Sequence, residues 1–437
     1  RRGLGSAIIE LKKNPERYKY RDIVLRCCLK DIAYDVQIEG TKGHYLYTAI
    51  CALGAKDEFE DILINTFMKR LEHRLFQQLA DILFLYADDG SEKTRNALRA
   101  KYQCLTEQLS RQRTFPYRYC EREQFEELMI YEVDTRKWAA FKECVADAGR
   151  ISMMRKDDAC DDYDWFLDHC KNIFGNEKIA RYFDIASEKS AEVKAFVGAI
   201  NELEIIREEN SRLRVEPEVT LEGYVTRARE LEKDEYAYGR MRISAVGFSR
   251  QADQNDLKNL VSIIIGEQSD EIKANMLRVF RDIDFPADID LLINYAESDC
   301  ERLQDIAIVA LERFEDRRVH DLSLKLITSG NLDAGLPLLI NNWSRQDEIV
   351  IREHVLSSRK VSHATQLNIR EIYTKHRSKS CGDILEHVYR YGACAYCRSA
   401  IVEAMWRSHV LRTNILDECL YDSYDETRKM AKRIKKS

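Results

Sequence analysis

The chain has 437 residues, with 69 Lys and Arg against 75 Asp and Glu and a net charge of −6. That balance speaks against a general nucleic-acid binder, which presents a basic surface. Only 5 Pro and 17 Gly punctuate it, and 45% of residues are hydrophobic and 33% charged, which excludes disorder and fits amphipathic helices with solvated outer faces.

The 13 Cys follow no framework spacing and read as reduced thiols packed in a cytoplasmic protein. No run nears 18 apolar residues, so no transmembrane helix is expected within the chain. Arg1 and Arg2 lead into no apolar run of signal-peptide length. The sequence starts without Met, which leaves an anchor upstream of Arg1 open.

In chain order, the spacing of Ile23, Val24, Cys27, Cys28 and Ile32 predicts a first helix over 20–34. Helices follow over 44–53, stopped by Gly54, and over 57–70 and 72–87. Ser91 opens another, to about 110. Phe115-Pro116 marks a break. The segment 121–150 reads as helical, with Phe125, Leu128 and Met129 in one apolar group and Trp138, Phe141 and Val145 in another. The pattern lapses over 149–162 and resumes over 163–174, 177–186 and 188–210, the last with Val193, Phe196, Val197, Ile200 and Leu203 on one stripe. Pro217 suits a helix first turn.

From Tyr238 a fixed period of about 31 residues takes over. Ala245, Met276, Ala307, Leu338, Ile369, Ala400 and Ala431 form one apolar column. Leu260, Leu291, Leu322, Glu353, Ile384 and Ile415 form a second, and Ile264, Tyr295, Leu326, Ser357, Val388 and Cys419 a third. Such self-similarity predicts stacked antiparallel helical hairpins sharing a continuous core. Glu353 and Ser357 break the register and predict a local slip. Ala49 and Ala80 are also 31 apart, which hints that the N-terminal part is of the same class. The expected organisation is an irregular helical region over 1–150, a middle helical segment over 151–237 and a regular array over 238–437.

The stretches EIVIREHV (348–355), YCRSAIVEAM (396–405) and DETRKMAKRI (425–434) resemble helix openings of HEAT-like repeats of the short bacterial type. The resemblance covers about 200 residues. It departs from the pattern in the basic column, which reads Arg242, Lys273, Gln304, Gly335, Gln366, Cys397 and Arg428. It implies an all-α fold, an α-α superhelix or HEAT/ARM-like solenoid, serving as a scaffold for macromolecules. It implies no reaction.

Candidate chemistry is sparse. No nucleophile elbow, metalloprotease helix, phosphate loop or dinucleotide fingerprint occurs. Cys394-x2-Cys397 has zinc-ligand spacing, with Cys381, His387 or His409 as further candidates, but reads as buried packing at a helix opening. Asp157, Asp158, Asp161, Asp162 and Asp164 with His169 and Cys170 could hold a divalent ion, though Asp is also common where a helix begins. Phe115 to Tyr119 mixes aromatics with Arg and reads as a loop plug. The basic tail from Arg428 to Lys436 reads as a solvated capping helix. No catalytic residue, metal or cofactor is assigned.

The period supplies one polar column beside the core: Asn259, Asp290, Asp321, Arg352, Asp383 and Asn414. If second helices wall a concave face, this ladder edges a groove, and its acids favour a basic protein or peptide over a phosphate backbone. The sequence thus points to a non-enzymatic scaffold or adaptor. The alternatives are a nucleic-acid-binding solenoid similar to HEAT-like DNA glycosylases, with Trp138, Trp165, Trp343 or Trp406 near an acid, and a metal-dependent enzyme built on 157–170.

Overall fold

The computed structural model describes residues 2–111, 119–154, 163–213, 219–234 and 236–436. Among them every regular element is helical, and none is long and apolar enough to cross a membrane. Two compact units emerge: Arg1–Arg214 together with Leu416–Ser437, and Val215–Ile415. This division differs from the partition at 150 and 237 that the sequence suggests. Residues 163–213 stay with the N-terminal helices because the long helix ending at Leu213 packs along the one ending at Met154. Residues 219–237 stay with the repeats, where Tyr224 stacks on Phe248 with ring centroids 4.8 Å apart.

Unit 1 opens with α1 (Gly5–Lys13), α2 (Arg21–Cys28) and the single turn α3 (Val36–Glu39). The first was not foreseen; Ile8 and Leu11 bury its inner face. Helix α2 stops at Cys28, short of the expected Tyr34, because the buried Gln78 takes over its end. The Gln78 Nε2 donates to the carbonyls of Cys27, Cys28 and Lys30 at 3.1, 3.0 and 3.0 Å, groups a helix end would otherwise leave unpaired.

Then come α4 (Gly43–Leu53), α5 (Lys56–Phe67), α6 (His73–Asp88) and α7 (Glu92–Ser110). Gly54 ends α4 in the left-handed region at φ 79°, a conformation open to glycine. Ser91 caps α7 by accepting from the Thr94 N–H. Ala49 and Ala80 are both buried, on the packed pair α4 and α6.

Helix α8 (Tyr119–Met154) turns at Lys137, φ 56° and ψ −132°, between the two apolar groups read from the sequence, and both groups are buried apart from half-exposed Trp138. With α9 (Asp164–Phe174), α10 (Asn176–Ser187) and α11 (Ala191–Leu213) it encloses an aromatic cluster. Trp138 stacks on Phe141 at 4.8 Å, and Phe141 meets Phe166, Phe174 and Phe183 within 5.8–6.1 Å.

Unit 2 runs through α12 (Leu221–Glu230), α13 (Ala237–Ser249), α14 (Gln254–Gly266), α15 (Asp270–Leu277), α16 (Asp290–Ala296), α17 (Glu301–Leu311), α18 (Arg317–Thr328), α19 (Leu332–Asn342), α20 (Asp347–Ser357), α21 (His363–Lys375), α22 (Gly382–Tyr391) and α23 (Ala395–Arg407). From α13 on first and second helices alternate, with α16 packed on α17, α18 on α19 and α22 on α23. First helices stack on first helices, α15 on α17, α19 on α21 and α21 on α23, and second on second, α18 on α20 and α20 on α22. The Ala245 column is buried through Ile369. Asp253 and Asp316 cap α14 and α18. Gly335 occupies the expected basic column for a steric reason: a Cβ there would sit 2.6 Å from Ile327 Cγ1.

The slip lies in α20. Ile351 and Val355 are buried where the strict period puts Glu353 and Ser357, which are exposed. The interval from Leu322 is therefore 29 residues and the next, to Ile384, is 33. The extra length falls in the turn 358–362. Of the three HEAT-like stretches, 348–355 lies on α20, a second helix, and 396–405 on α23, a first helix.

Helix α24 (Thr413–Cys419) carries the chain back into unit 1, and α25 (Asp425–Ile434) belongs to it. There the Ser423 N–H donates to the Gly3 carbonyl at 2.9 Å, and Lys12 Nζ lies 4.0 Å from the Tyr421 ring centre. A Cβ on Gly5 would fall 1.8 Å from the Glu418 carbonyl oxygen, so only glycine admits this approach.

Candidate functional site

The ladder residues fall on second helices of unit 2. Asn259 is on α14, Asp290 on α16, Asp321 on α18, Arg352 on α20, Asp383 on α22 and Asn414 on α24. All are exposed except the half-buried Arg352. The slip displaces Arg352, since Val350 is the residue that precedes the buried Ile351. Charge along the ladder is compensated within the chain. Arg318 Nη1 donates to Asp290 Oδ1 at 3.0 Å and Asp288 Oδ1 at 2.8 Å, and its Nη2 reaches Asp316 at 3.0 Å. Arg352 Nε donates to Asp383 Oδ2 at 2.8 Å. Asp321 lies 3.8 Å from Arg317 and 3.5 Å from His320. Hydrogen bonds from Arg318 hold the Asp316 carboxyl below its ordinary range. Burial raises the Asp383 carboxyl, but Arg352 outweighs it and the net shift is downward.

Two cavities of unit 2 open on the other helix layer. One, of about 340 Å³, is lined by Arg242 of α13, by Arg278 and Arg281 of the 3₁₀ turn after α15, and by Arg302 of α17. Asp234, Asp282 and Asp305 share the lining with the apolar Ala245, Ile306 and Val309. Arg302 is fixed: its Nη2 donates to Asn275 Oδ1 at 2.8 Å, and buried Asn275 in turn donates to the Ala228 carbonyl at 3.0 Å. Arg242 and Arg281 are exposed. Beside Arg242, Ile243 is 67% exposed.

A second groove, of about 490 Å³, is lined by Ile340 and Asn341 of α19, Arg370, Glu371, Thr374 and Lys375 of α21, and Ala400, Glu403 and Arg407 of α23. Next to Arg407, Trp406 is 46% exposed. Glu312 feels both cavities. Burial, with the charge of Glu371, pushes its carboxyl up to about 7 against the pull of Arg281. No ladder residue lines either cavity. The column that does, two places after the Ala245 column, reads Arg278, Val309, Ile340 and Glu371. Its mixed chemistry carries no signal in the sequence.

In unit 1 a polar cavity of about 380 Å³ is lined by His73, Gln77, Arg122, Glu123, Glu126, Asp164 and Trp165. His73 Nε2 lies 3.3 Å from Glu123, and the Phe166 N–H donates to Glu126 Oε1 at 2.8 Å. Trp165 is thus the tryptophan set among acids. Trp138 belongs to the aromatic cluster, and Trp343 stacks on His376 at 5.0 Å. Behind the cavity, burial raises the Glu127 carboxyl well above its ordinary range, aided by Asp81 and Glu123.

Of the proposed acidic metal cluster, Asp157, Asp158, Asp161 and Asp162 lie outside the described residues, as do Phe115 to Arg118 and Pro217. Asp164 pairs with Arg207, His169 Nε2 lies 2.8 Å from Asp134 and Cys170 is buried, so these three do not converge. The tail is tied down in unit 1. Arg428 donates to the carbonyls of Asp422 and Ser423, Lys429 pairs with Asp425 and Glu426, and burial and Arg428 lower the pKa of His44.

No protein-family model, no curated protein and no solved structure matches the chain.

Proposed function

We propose that the chain is a non-enzymatic helical-repeat scaffold that grips an extended protein segment along the first-helix layer of unit 2. The observation that carries this reading is the cavity where three consecutive first-helix elements bring Arg242, Arg278, Arg281 and Arg302, against Asp234, Asp282 and Asp305, around an apolar floor. Arginine and exposed aromatic or aliphatic side chains around a concavity are what protein interfaces use as anchors. The guanidinium fork matches a carboxylate in two-point geometry. The segment therefore presents Asp or Glu beside an apolar side chain, the exposed Ile243 and Trp406 giving that chain further apolar contact. The HEAT-like resemblance adds support, because such repeats serve as scaffolds. The ladder, with its acids already paired to Arg318 and Arg352, offers a basic partner little free charge.

The test uses arrays of acidic and basic peptides, with hits measured by fluorescence anisotropy at two salt concentrations. Acid-bearing peptides are expected to bind, more weakly at high salt. The exposed pair Arg242→Glu and Arg281→Glu should lose at least about 10-fold in affinity, the scale of removing one or two charge-assisted contacts. The triple reversal Asp290→Lys, Asp321→Lys, Asp383→Lys should bind unchanged. Loss in the triple variant with retention in the arginine variant would return the binding face to the ladder and a basic partner.

The cavity around Trp165 favours one second reading, a base-stacking pocket beside carboxylates. Its lining carries three acids against Arg122 and His73, which is poor in the cations a phosphate backbone needs. Anisotropy with single-stranded and duplex DNA, with Trp165→Ala as control, decides it.

A further inference from the structure

The scaffold reading makes no use of Cys394-x2-Cys397. His363 and Cys394 stand 31 residues apart, at the same register of successive hairpins, so stacking brings them together. Two features hold the start of α23 against α21. A parallel bridge joins Val361 and Gly392, again 31 apart. Fully buried Gln366 accepts from the Cys394 N–H at 3.2 Å and donates to the Cys394 carbonyl at 3.4 Å.

One turn further on, Cys397 Sγ lies 3.5 Å from His363 Nδ1. The ligand atoms of His363, Cys394 and Cys397 all lie within 4.8 Å of one another. A tetrahedral zinc with Zn–S near 2.3 Å and Zn–N near 2.05 Å sets its sulfur and nitrogen ligands about 3.5 Å apart, so the imidazole and one thiol already stand at ligand spacing.

A helix N-terminus faces the sulfur of Cys394. Cys394 caps α23, and its Sγ accepts the Cys397 backbone N–H at 3.5 Å. The open N–H groups and dipole of a helix N-terminus stabilise negative sulfur. Both thiols are fully buried, whereas His363 is half-buried, which leaves one side open to solvent. The partners considered from sequence are elsewhere. Cys381 Sγ donates to the Ser378 carbonyl at 2.9 Å, His387 Nε2 lies 2.6 Å from the Ser358 carbonyl, and His409 is exposed, at φ 57°.

We propose that His363 Nδ1, Cys394 Sγ and Cys397 Sγ bind a zinc ion between two successive repeats, with the fourth position, on the His363 side, filled by water or a donor from outside the site. Two thiolates balance the charge of the ion, and the soft sulfur set suits zinc over magnesium or calcium. Since the ligands come from α21 and α23, the ion ties neighbouring hairpins and stabilises the folded array by mass action.

Elemental analysis of the full chain, expressed with supplemental zinc and dialysed under reductant, should find about one zinc per chain. The cobalt-substituted protein should show the ligand-field and thiolate-to-cobalt bands of a tetrahedral sulfur site. Cys397→Ser should abolish both. His363→Asn changes a half-buried residue and keeps the test open if the cysteine variant does not fold. It should weaken metal binding at least about 10-fold, the scale of losing even an outer-shell partner. Cys381→Ser, a buried thiol outside the cluster, should bind as the parent does. The site is refuted by substoichiometric metal in the parent, by a Cys394–Cys397 disulfide that persists in protein kept under reductant, or by cobalt spectra that Cys397→Ser and His363→Asn leave unchanged.

Discussion

Unit 2 buries Ala307, Leu338 and Ile369 from equivalent places in successive hairpins, whereas unit 1 gathers Trp138, Phe141, Phe166 and Phe183 from α8, α9 and α10 into one cluster. The stacked helices of unit 2 spread its stability over a series of similar neighbour interfaces, as expected of stacked hairpins. The aromatic cluster concentrates it, because several helices depend on the same few rings. A lesion in one should stay local and in the other should spread.

Phe141→Ala tests the concentrated side and carries the largest expected effect. Phe141 is fully buried among five aromatic neighbours, and its truncation should cost about 3–5 kcal/mol. Hydrogen exchange should quicken across α8, α9, α10 and α11 together. Protection lost from α8 alone would break the contrast.

Leu338→Ala is the counterpart. It should cost about 2–4 kcal/mol, with faster exchange confined to α17 through α21. Loosening that reaches α13 would show the array to be as cooperative as a single core.

The smallest effect is a pH dependence peculiar to the first-helix layer. The Glu312 carboxyl titrates at about 7, against 4.5 in the unfolded chain. As pH rises from 4.5 to 7 the unfolded chain ionises first, so this group subtracts stability across that window, and the loss is complete above 7. Glu312→Gln should equal the parent near pH 4 and exceed it by about 2 kcal/mol at pH 8, allowing for partial solvent access. Denaturant midpoints at the two values measure it, and equal midpoints at pH 8 would show that burial does not raise the Glu312 carboxyl.

What the sequence revealed follows the same contrast. A fixed period exposes a core column even where single residues mislead, so the hairpins from Ala245 on and the displacement near Glu353 were legible. The size of that displacement was not, because Ile349 and Val350 are as apolar as Ile351, and only packing shows which is buried. In unit 1, α2 looked longer than it is, since nothing local announces that Gln78, fifty residues away, closes its end. The ladder lies on second helices, but its neutralisation by Arg318 depends on side chains outside the column. Cys394 and Cys397 were noticed, yet the nearest imidazole lay a full repeat upstream, where motif spacing does not look.

The return of residues 416–437 to unit 1 has a consequence for biosynthesis. Unit 2 is an insertion in the order of translation, and Gly5 meets its neighbour Glu418 only after the whole of unit 2 has been made. At roughly 5–20 residues per second, the first 214 residues wait roughly 10–40 s for their last helix. During that time the α1 surface that Glu418 and Tyr421 meet in the folded chain stays uncovered, and unit 1 completes its fold only once residues 416–437 have been made.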